Sequence, residues 1–308
     1  EADFVKTDGE YIYIVSGRNV TIVKAYPPEE ATIVSQITLM DGTISGLFIN
    51  GNRMVVFENG YNPYVYGTFE PSIKPSIEYY PYYGASDKTI IKVYDITNRA
   101  SPALKRDVPL DGYYFDSRMI GDYVYAVINA YAYANESWVA LPRIYSGGEV
   151  KEIDATDIYY SNVSDAFTTF TTIVAVNTQN DEEDPSYETI LLGTTSKMYV
   201  SLNNIYITFQ EYNEVTSISP TMVSPYELRT TIHRVHIENG EIDYVASGYV
   251  PGNVLNQFSM DEHDGYFRIA TTTGDVWGWG ETASRNHVYI LDMNLNIVGK
   301  LEDLALRE

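Results

Sequence analysis

The sequence contains no cysteine, which excludes disulfide bridges, thiolate metal sites and cysteine nucleophiles. This absence does not identify a compartment, because 308 residues with 44% hydrophobic content can build a core without covalent bridges. Long hydrophobic runs are also missing, and none approaches the roughly 18 residues of a membrane-crossing helix. We therefore expect no membrane insertion by this segment.

Basic residues are scarce, with 20 against 42 acidic residues and a formal net charge of -22. Such a surface repels phosphate backbones and anionic lipid headgroups, so binding to nucleic acid or to a membrane surface is not expected. Acidity of this degree is typical both of proteins in salty or extracellular settings and of surfaces that bind cations.

A signal peptide is absent as well, and the chain begins with Glu1 rather than methionine. We expect a processed or excised piece whose targeting segment lay upstream. Asn-X-Ser/Thr sequons begin at Asn19, Asn135 and Asn162, which makes these three residues candidate glycosylation sites. Two of them fall in a long polar insertion, where a glycan would be tolerated. These features favour an extracellular or cell-surface location.

Helical periodicity is nearly absent, and short runs of Tyr, Ile, Val and Thr alternate between Asp, Asn and Gly instead. One set of segments follows tight turns: DGEYIYIV (8–15), GNRMVVF (51–57), GDYVYAV (121–127), NNIYITF (203–209) and DGYFRIA (264–270). A second set follows these: NVTIVKAY (19–26), TIIKVYDI (89–96), TTIVAVNT (171–178), TTIHRVHI (230–237) and NHVYILDM (286–293). With one short strand before and one after, a quartet of strands recurs along the chain.

Recurring quartets with a drifting period above about 40 residues are typical of a β-propeller, in which each unit is one blade. We therefore predict a single all-β domain over 1–308, a β-propeller of four-stranded antiparallel blades. The blades visible in this chain lie at about 1–40, 41–112, 113–193, 194–251 and 252–308. A β-sandwich and a parallel β-solenoid are the alternatives that the aligned quartets disfavour.

The connections differ strongly in length. With the strands of a blade called A to D from the central channel outward, the A–B turns are short, whereas long B–C insertions occupy 58–88 and 129–169. In an antiparallel blade the B–C loops and the D–A connections emerge on one face. We therefore expect one elaborated face, and loops on a rigid scaffold are where binding sites are usually built.

Several motifs resemble a known family: EADFVKTDGEYIYIVSG at the start, IKVYDITNRASP, SRMIGDYVYAVIN, FRIATTTG, and NHVYILDMNLNIVGKLEDLA at the end. They resemble the secreted proteins with a C-terminal β-propeller domain that are distantly related to WD40 repeats. The resemblance implies an archaeal or bacterial protein exported to the cell surface, and it carries no catalytic residues with it. Members of that family continue past a motif like LEDLALRE, so the resemblance also implies further blades or a second chain that completes the ring.

Aromatic side chains crowd the insertions. Trp277 and Trp279 are two residues apart and would point the same way in an extended backbone. Rings with a polar atom suit carbohydrate stacking and protein interfaces, although packing beneath their own loops explains any one ring equally well. The predicted binding residues are Tyr61, Tyr64, Tyr66, Tyr79, Tyr80, Tyr82, Tyr83, Tyr131, Tyr133, Trp138, Trp277 and Trp279.

Metal and catalytic motifs are weak. His233 and His236 lie in a strand-like segment, where positions three apart face opposite sides, so they are not expected to share a zinc ion. The acidic clusters at 180–184 and 261–265 offer oxygen ligands but lack EF-hand spacing, and solvated turns explain both. We predict no cofactor and no metal site, with Ca²⁺ as the alternative, and catalytic residues stay unassigned.

The leading functional hypothesis is a non-enzymatic surface scaffold that binds a surface protein or a glycan through its aromatic loops. The rival hypothesis is a glycan-acting hydrolase or lyase with carboxylates near the central channel. The third is a structural subunit of a surface assembly.

Overall fold

The computed structural model describes residues 1–61, 87–132, 134–135, 138–146, 148–160, 168–214, 226–275 and 283–305. This part of the chain is almost entirely β-structure, with short 3₁₀ segments at Pro28–Glu30, Ala155–Asp157 and Gln257–Ser259. Within the same ranges, no helix is long and apolar enough to cross a membrane. The predicted all-β class is therefore confirmed.

The strands of the described residues are, in chain order, β1 (Val5–Thr7), β2 (Tyr11–Ser16), β3 (Asn19–Lys24), β4 (Thr32–Thr38), β5 (Gly42–Asn50), β6 (Arg53–Tyr61), β7 (Asp87–Asp95), β8 (Ala103–Asp111), β9 (Tyr113–Ile120), β10 (Tyr123–Tyr131), β11 (Ala134–Asn135), β12 (Trp138–Val139), β13 (Arg143–Ser146), β14 (Glu149–Glu152), β15 (Ile158–Tyr160), β16 (Thr169–Asn177), β17 (Ser186–Leu192), β18 (Lys197–Val200), β19 (Asn204–Glu214), β20 (Tyr226–Glu238), β21 (Glu241–Pro251), β22 (Asn253–Val254), β23 (Met260–His263), β24 (Tyr266–Thr273), β25 (Arg285–Leu291) and β26 (Ile297–Leu304).

Successive quartets of these strands form sheets, as the sequence predicts. They are sheet 1 (β1-β2-β3-β4), sheet 2 (β5-β6-β7-β8), sheet 3 (β9-β10-β16-β17), sheet 4 (β18-β19-β20-β21) and sheet 5, in which β22 and β23 together supply the first strand before β24, β25 and β26. Neighbouring strands in sheets 1, 2, 4 and 5 are antiparallel. The alternation of apolar and polar residues explains this arrangement, because it gives each strand one face to bury.

The third insertion is more structured than a polar loop. The hairpin β13–β14 joins the outer edge of sheet 2, where Ile144 pairs with Leu110. Arg143 Nε donates to Asp111 Oδ2 at 2.6 Å, which fixes the hairpin to the end of β8. The strand β15 extends sheet 3 in the same way by parallel pairing with β17.

The connections from sheet 2 to sheet 3 and from sheet 4 to sheet 5 share a hydrogen bond between a threonine and a glycine. Thr89 of β7 and Thr230 of β20 lie on equivalent strands, the third of their sheets, and both are buried. Their hydroxyls donate to the carbonyl oxygens of Gly112 at 3.0 Å and Gly252 at 2.7 Å. Both glycines have a positive φ, +115° and +86°, and a Cβ there would lie within 2.7 Å of a backbone oxygen. We call each threonine–glycine contact a glycine clamp, and only glycine fits at its second position.

Two compact units account for the contacts of the chain. One contains Glu1–Ala130, Ala140–Asp154 and Val174–Pro185, and the other contains Tyr131–Val139, Ala155–Ile173 and Ser186–Glu308. In the first unit, sheets 1 and 2 enclose a core that includes Tyr13, Leu47 and Met54. In the second, sheets 4 and 5 enclose a core that includes Tyr206 and Phe267, whose stacked rings lie 4.0 Å apart.

Candidate binding cleft

Most of the predicted binding residues lie outside the described residues: Tyr64, Tyr66, Tyr79, Tyr80, Tyr82, Tyr83, Tyr133, Trp277 and Trp279. The backbone of Tyr61 ends β6, and that of Trp138 begins β12. Tyr131 ends β10 with a side chain that is 51% exposed. The aromatic surface therefore stays a prediction, and Tyr131 is the ring whose exposure agrees with it.

The sequons and histidines are only partly within the described residues. Asn19 begins β3 and accepts a hydrogen bond from Thr38 Oγ1 at 2.7 Å, while the backbone of Asn135 ends β11 and Asn162 lies outside the described ranges. His233 is fully buried in β20, whereas His236 is partly exposed, which agrees with opposite-facing strand positions.

The acidic clusters proposed for calcium are engaged with protein donors. Asp181 accepts from Arg53 Nη2 at 2.9 Å, and Glu183 accepts from the Tyr123 hydroxyl at 2.8 Å. Asp261 pairs with Arg268. Across the described residues, no group of three or more His, Asp or Glu side chains is placed to hold a metal ion.

A cleft of about 600 Å³ lies where turns at one end of sheets 1 and 2 converge. These are the A–B and C–D ends of the quartets, whereas the sequence placed the binding surface at the B–C ends. Its walls come from the β1–β2, β5–β6 and β7–β8 turns and from β4. The lining residues are Asp8, Glu10, Tyr11, Val34, Gly51, Asn52, Thr97, Asn98, Arg99 and Ala100.

Arg99 connects the walls of this cleft. From the β7–β8 turn, its Nη2 donates to Asp8 Oδ2 and its Nε to the Tyr13 hydroxyl, both at 3.2 Å. Its Nη1 donates to Asn52 Oδ1 at 2.7 Å. The guanidinium carbon also lies 5.5 Å from the centre of the Tyr11 ring, within range of a cation–π interaction. One side chain thus fixes turns from two sheets.

Asp8 has both carboxylate oxygens occupied. Oδ1 accepts from the backbone N–H groups of Glu10 at 3.1 Å and Tyr11 at 2.8 Å, and Oδ2 accepts from the Tyr13 hydroxyl at 2.9 Å as well as from Arg99. Burial alone would raise the pKa of Asp8, but these hydrogen bonds outweigh it and lower the pKa. Burial, together with Asp8, raises the pKa of Tyr13 to about 12. The Asp8 carboxylate therefore holds the turn in place and is not available as a general base.

A comparable polar centre joins sheets 4 and 5. Glu262 Oε2 accepts from Ser201 Oγ and Asn204 Nδ2, both at 2.9 Å. It also accepts from the Tyr206 hydroxyl at 2.7 Å. Burial and this carboxylate raise the pKa of Tyr206. Tyr206 occupies the same place in β19 that Tyr13 occupies in β2, so a buried tyrosine bonded to a carboxylate recurs in the two units.

A third group of carboxylates lies in the second unit around Glu188 of β17. Burial, together with the charges of Asp243 and Asp157, raises the pKa of Glu188 to about 7. The rings of Tyr159 and Tyr244 lie 5.0 Å apart beside these acids. A carboxyl group that is protonated near neutral pH beside other carboxyl groups has the character of a general acid.

Sequence reasoning missed both the cleft and Glu188. The turn residues of the cleft are visible as turn chemistry, but Arg99 is 91 residues from Asp8 and only the sheet packing brings them together. Glu188 is one acid among 42, and nothing in YETILL distinguishes it.

Quartets of antiparallel strands that follow one another along the chain define a β-propeller. The chain matches the family described as "Beta propeller domain" over residues 1–308, and it belongs to that family. The predicted fold class and the predicted family resemblance are both confirmed.

Two archaeal relatives match the whole chain. An uncharacterized protein of Archaeoglobus fulgidus is 23% identical, with 100% of this chain and 55% of the relative covered. An uncharacterized protein of Methanocaldococcus jannaschii is 25% identical, with 100% of this chain and 53% of the relative covered. The chain thus spans about half the length of the curated relatives it matches.

Solved structures are similar only distantly. The N-terminal domain of Nup159 is 9% identical, with 98% of this chain and 73% of that chain covered and a TM-score of 0.30. The WD40 domain of SCAP from fission yeast is 9% identical, with 97% and 76% covered and a TM-score of 0.25. At these scores the comparisons carry no argument about function.

Proposed function

We propose that this β-propeller is a non-catalytic extracellular scaffold whose ligand is a surface protein or a glycan. The cleft between the turns of sheets 1 and 2 carries the proposal. Arg99, Asp8 and Asn52 hold one another in place, so a ligand would meet polar groups that are already ordered. Concave surfaces with a few fixed polar groups are typical of ligand sites, and prior ordering lowers the entropy lost on binding.

Features of the sequence support the proposed location and a second contact surface. The net charge of -22 keeps such a surface soluble, and the sequons at Asn19, Asn135 and Asn162 would carry glycans outside the cell. The aromatic loops around Tyr80 and Trp277 are proposed to add contact area. Calcium at 180–184 or 261–265 stays an expectation from the sequence.

The proposal is tested by probing a peptide array and a glycan array with the fluorescently labelled chain. A scaffold binds members of one array saturably and reversibly, and mass spectrometry recovers those ligands unchanged. The double variant with Tyr80→Ala and Trp277→Ala reports on the aromatic loops, and Arg99→Lys reports on the cleft. Absence of binding on both arrays, or conversion of a bound ligand, would contradict the scaffold function.

The carboxylates around Glu188 favour a second candidate, a glycoside hydrolase. A protonated Glu188 would donate a proton to the leaving-group oxygen, and a second carboxyl group such as that of Asp243 would be the other member of the pair. Exposed Tyr159, at 41%, offers a ring on which a sugar could stack. These groups lie on outer strands, whereas the sequence placed a catalytic site near the central channel.

This candidate is tested with a broad panel of oligosaccharides that are labelled at the reducing end. Hydrolysis by the native chain that disappears in Glu188→Gln, but not in Glu241→Gln, would establish it. Hydrolysis that is equal in all three proteins would assign the activity elsewhere, and no hydrolysis would remove the candidate.

The outer strand of sheet 5 favours an assembly role as a third candidate. Ile297, Val298, Leu301 and Leu304 of β26 are 43%, 55%, 62% and 39% exposed. Exposed apolar residues on a strand at a sheet edge, here interspersed with Lys300, Glu302 and Asp303, offer a template for another strand, supplied by further blades or by a second chain. Light scattering tests the second chain: a dimer that Leu301→Lys converts to a monomer would support it, and a monomeric native chain would exclude it.

A further inference from the structure

We propose that the cleft between sheets 1 and 2 binds a short extended peptide segment that carries a basic side chain. This inference rests on the proposed scaffold function and specifies its ligand. The residues that carry it are Arg99, Asn52, Asn98 and Glu10, all of which line the cleft.

Three side chains of the cleft have hydrogen-bond donors left over. Asn52 and Asn98 each use the side-chain oxygen inside the protein, to accept from Arg99 Nη1 at 2.7 Å and from the Ala100 N–H at 3.1 Å. Their amide nitrogens face no protein acceptor among the described residues. Arg99 donates one bond from each of its three nitrogens, and a guanidinium has five N–H groups. Donors from three side chains are therefore available to a ligand.

The two carboxylates of the cleft differ in what they leave for a ligand. Both oxygens of Asp8 are occupied, and the exposed carboxylate of Glu10 is the acid that remains at the cleft. The ligand should accordingly offer acceptors to the free amide and guanidinium donors and a cation to Glu10. A neutral sugar offers hydroxyl oxygens but no cation, so it meets the first requirement and not the second.

An extended peptide with a Lys or Arg side chain meets both requirements. Its carbonyl oxygens recur along the strand at a spacing of about 3.3 Å per residue and are neutral, so the acidic surface does not repel them. A carboxylate or phosphate ligand would also accept, but the net charge of -22 and the nearby Glu10 oppose its approach.

Glu10 sets the expected side-chain preference. It is exposed at the cleft, and no ion pair occupies it among the described residues. A Lys or Arg side chain of the peptide would pair with it, and the charge of the whole protein would speed its approach. A basic segment is thus favoured over a neutral one of the same length.

The test uses the full chain and a terminally blocked, fluorescently labelled random hexapeptide library, divided into basic, neutral and acidic pools. Fluorescence polarisation should give the tightest binding for the basic pool. Asn98→Ser removes the amide donors and keeps an oxygen for the Ala100 N–H, so affinity should fall by about three- to tenfold with the fold intact. Glu10→Gln should abolish the preference for the basic pool over the neutral one.

Matched controls are Asn203→Ser and Glu241→Gln, which make the same chemical changes at exposed positions that do not line the cleft. Peptide binding that neither Asn98→Ser nor Glu10→Gln alters would overturn the cleft as the peptide site and leave the scaffold function standing. Binding of neutral oligosaccharides that depends on Asn98 would replace the peptide with a glycan. Absence of binding to peptides and oligosaccharides alike would remove both the inference and the proposed function.

Discussion

At the scale of single residues, His233 shows what burial does to a titratable group. Its ring is fully buried, stacks on Phe209 with 5.6 Å between centroids, and has Nδ1 3.0 Å from the Tyr244 hydroxyl. Burial lowers the pKa of His233 to about 3. The histidine is therefore neutral in the folded protein well below the pH at which it takes up a proton in the unfolded chain.

We predict that His233 makes the fold sensitive to acid. Its contribution to stability is complete above about pH 6.5 and is lost as the pH falls toward about 3, by about 1.4 kcal/mol per pH unit, because only the unfolded chain binds the proton. Between about pH 7.5 and about pH 5, urea unfolding should show a loss of about 2 kcal/mol that His233→Gln lacks. Exposed His263 provides the control, since His263→Gln should follow the native protein. Parallel pH profiles for the native protein and His233→Gln would contradict this account.

Glu188 should have the opposite effect on the pH dependence of stability. Its pKa lies at about 7, above the ordinary value of 4.5, so its contribution is present in acid and is lost as the pH rises through about 7. Glu188→Gln should therefore raise the melting temperature at about pH 8 and leave it unchanged at about pH 4. Glu241→Gln, at the exposed start of β21, should change neither value. A Glu188→Gln protein that is less stable at the higher pH would show that the carboxylate is a favourable partner there.

At the scale of elements, the contact between Thr89 and Gly112 lies at the connection from sheet 2 to sheet 3. Gly112 has φ +115°, and a Cβ there would lie 2.6 Å from the Asn129 carbonyl oxygen. Gly121 also has a positive φ, +59°, but a Cβ there would meet nothing within 4 Å. Both positions disfavour a side chain, and only Gly112 adds a clash with backbone.

Replacing these two glycines separates the effects. Gly121→Ala should cost about 1–2 kcal/mol from backbone strain alone. Gly112→Ala should cost about 2 kcal/mol more, because the Asn129 carbonyl must move and the shifted backbone strains the hydrogen bond from Thr89 to the carbonyl of residue 112. Chemical denaturation at one pH measures both. Equal losses of unfolding free energy in the two variants would show that the clamp adds nothing to the effect of the positive φ at Gly112.

The strand quartets could be predicted from sequence because each strand carries its own local pattern. TIIKVYDI at 89–96 alternates between two turns, and β7 ends at Asp95. The added strands could not be predicted in this way. RIYS and EVKE are too short and polar for periodicity, and their place on sheet 2 depends on pairing between Ile144 and Leu110. IYY of β15 joins β17 by a parallel pairing that no local signal announces.

The candidate site was less accessible to sequence reasoning for a related reason. Aromatic-rich loops attract notice because ring content is a property of a segment, whereas the cleft is a property of three turns brought together. Asp8, Asn52 and Arg99 each look like ordinary turn residues. Their relation becomes visible only through the hydrogen bonds that Arg99 makes across sheets 1 and 2.

At the scale of the whole molecule, charge and fold agree with a scaffold. In the proposed function, the β-propeller supplies rigid sheets whose turns hold the ligand groups, and the net charge of -22 would favour cationic or neutral partners over anionic ones. The chain spans about half the length of its archaeal relatives, of which 55% and 53% are covered.

The central claim is that the cleft held by Arg99 binds ligand, and one measurement tests it most directly. The affinity of Arg99→Lys for the blocked basic hexapeptide pool is compared with that of the native chain and of Arg268→Lys, an exposed arginine of sheet 5. Lysine keeps the charge but loses the planar fork, so we predict binding weakened by about tenfold in Arg99→Lys and unchanged in Arg268→Lys. Native affinity in a folded Arg99→Lys protein would contradict the claim.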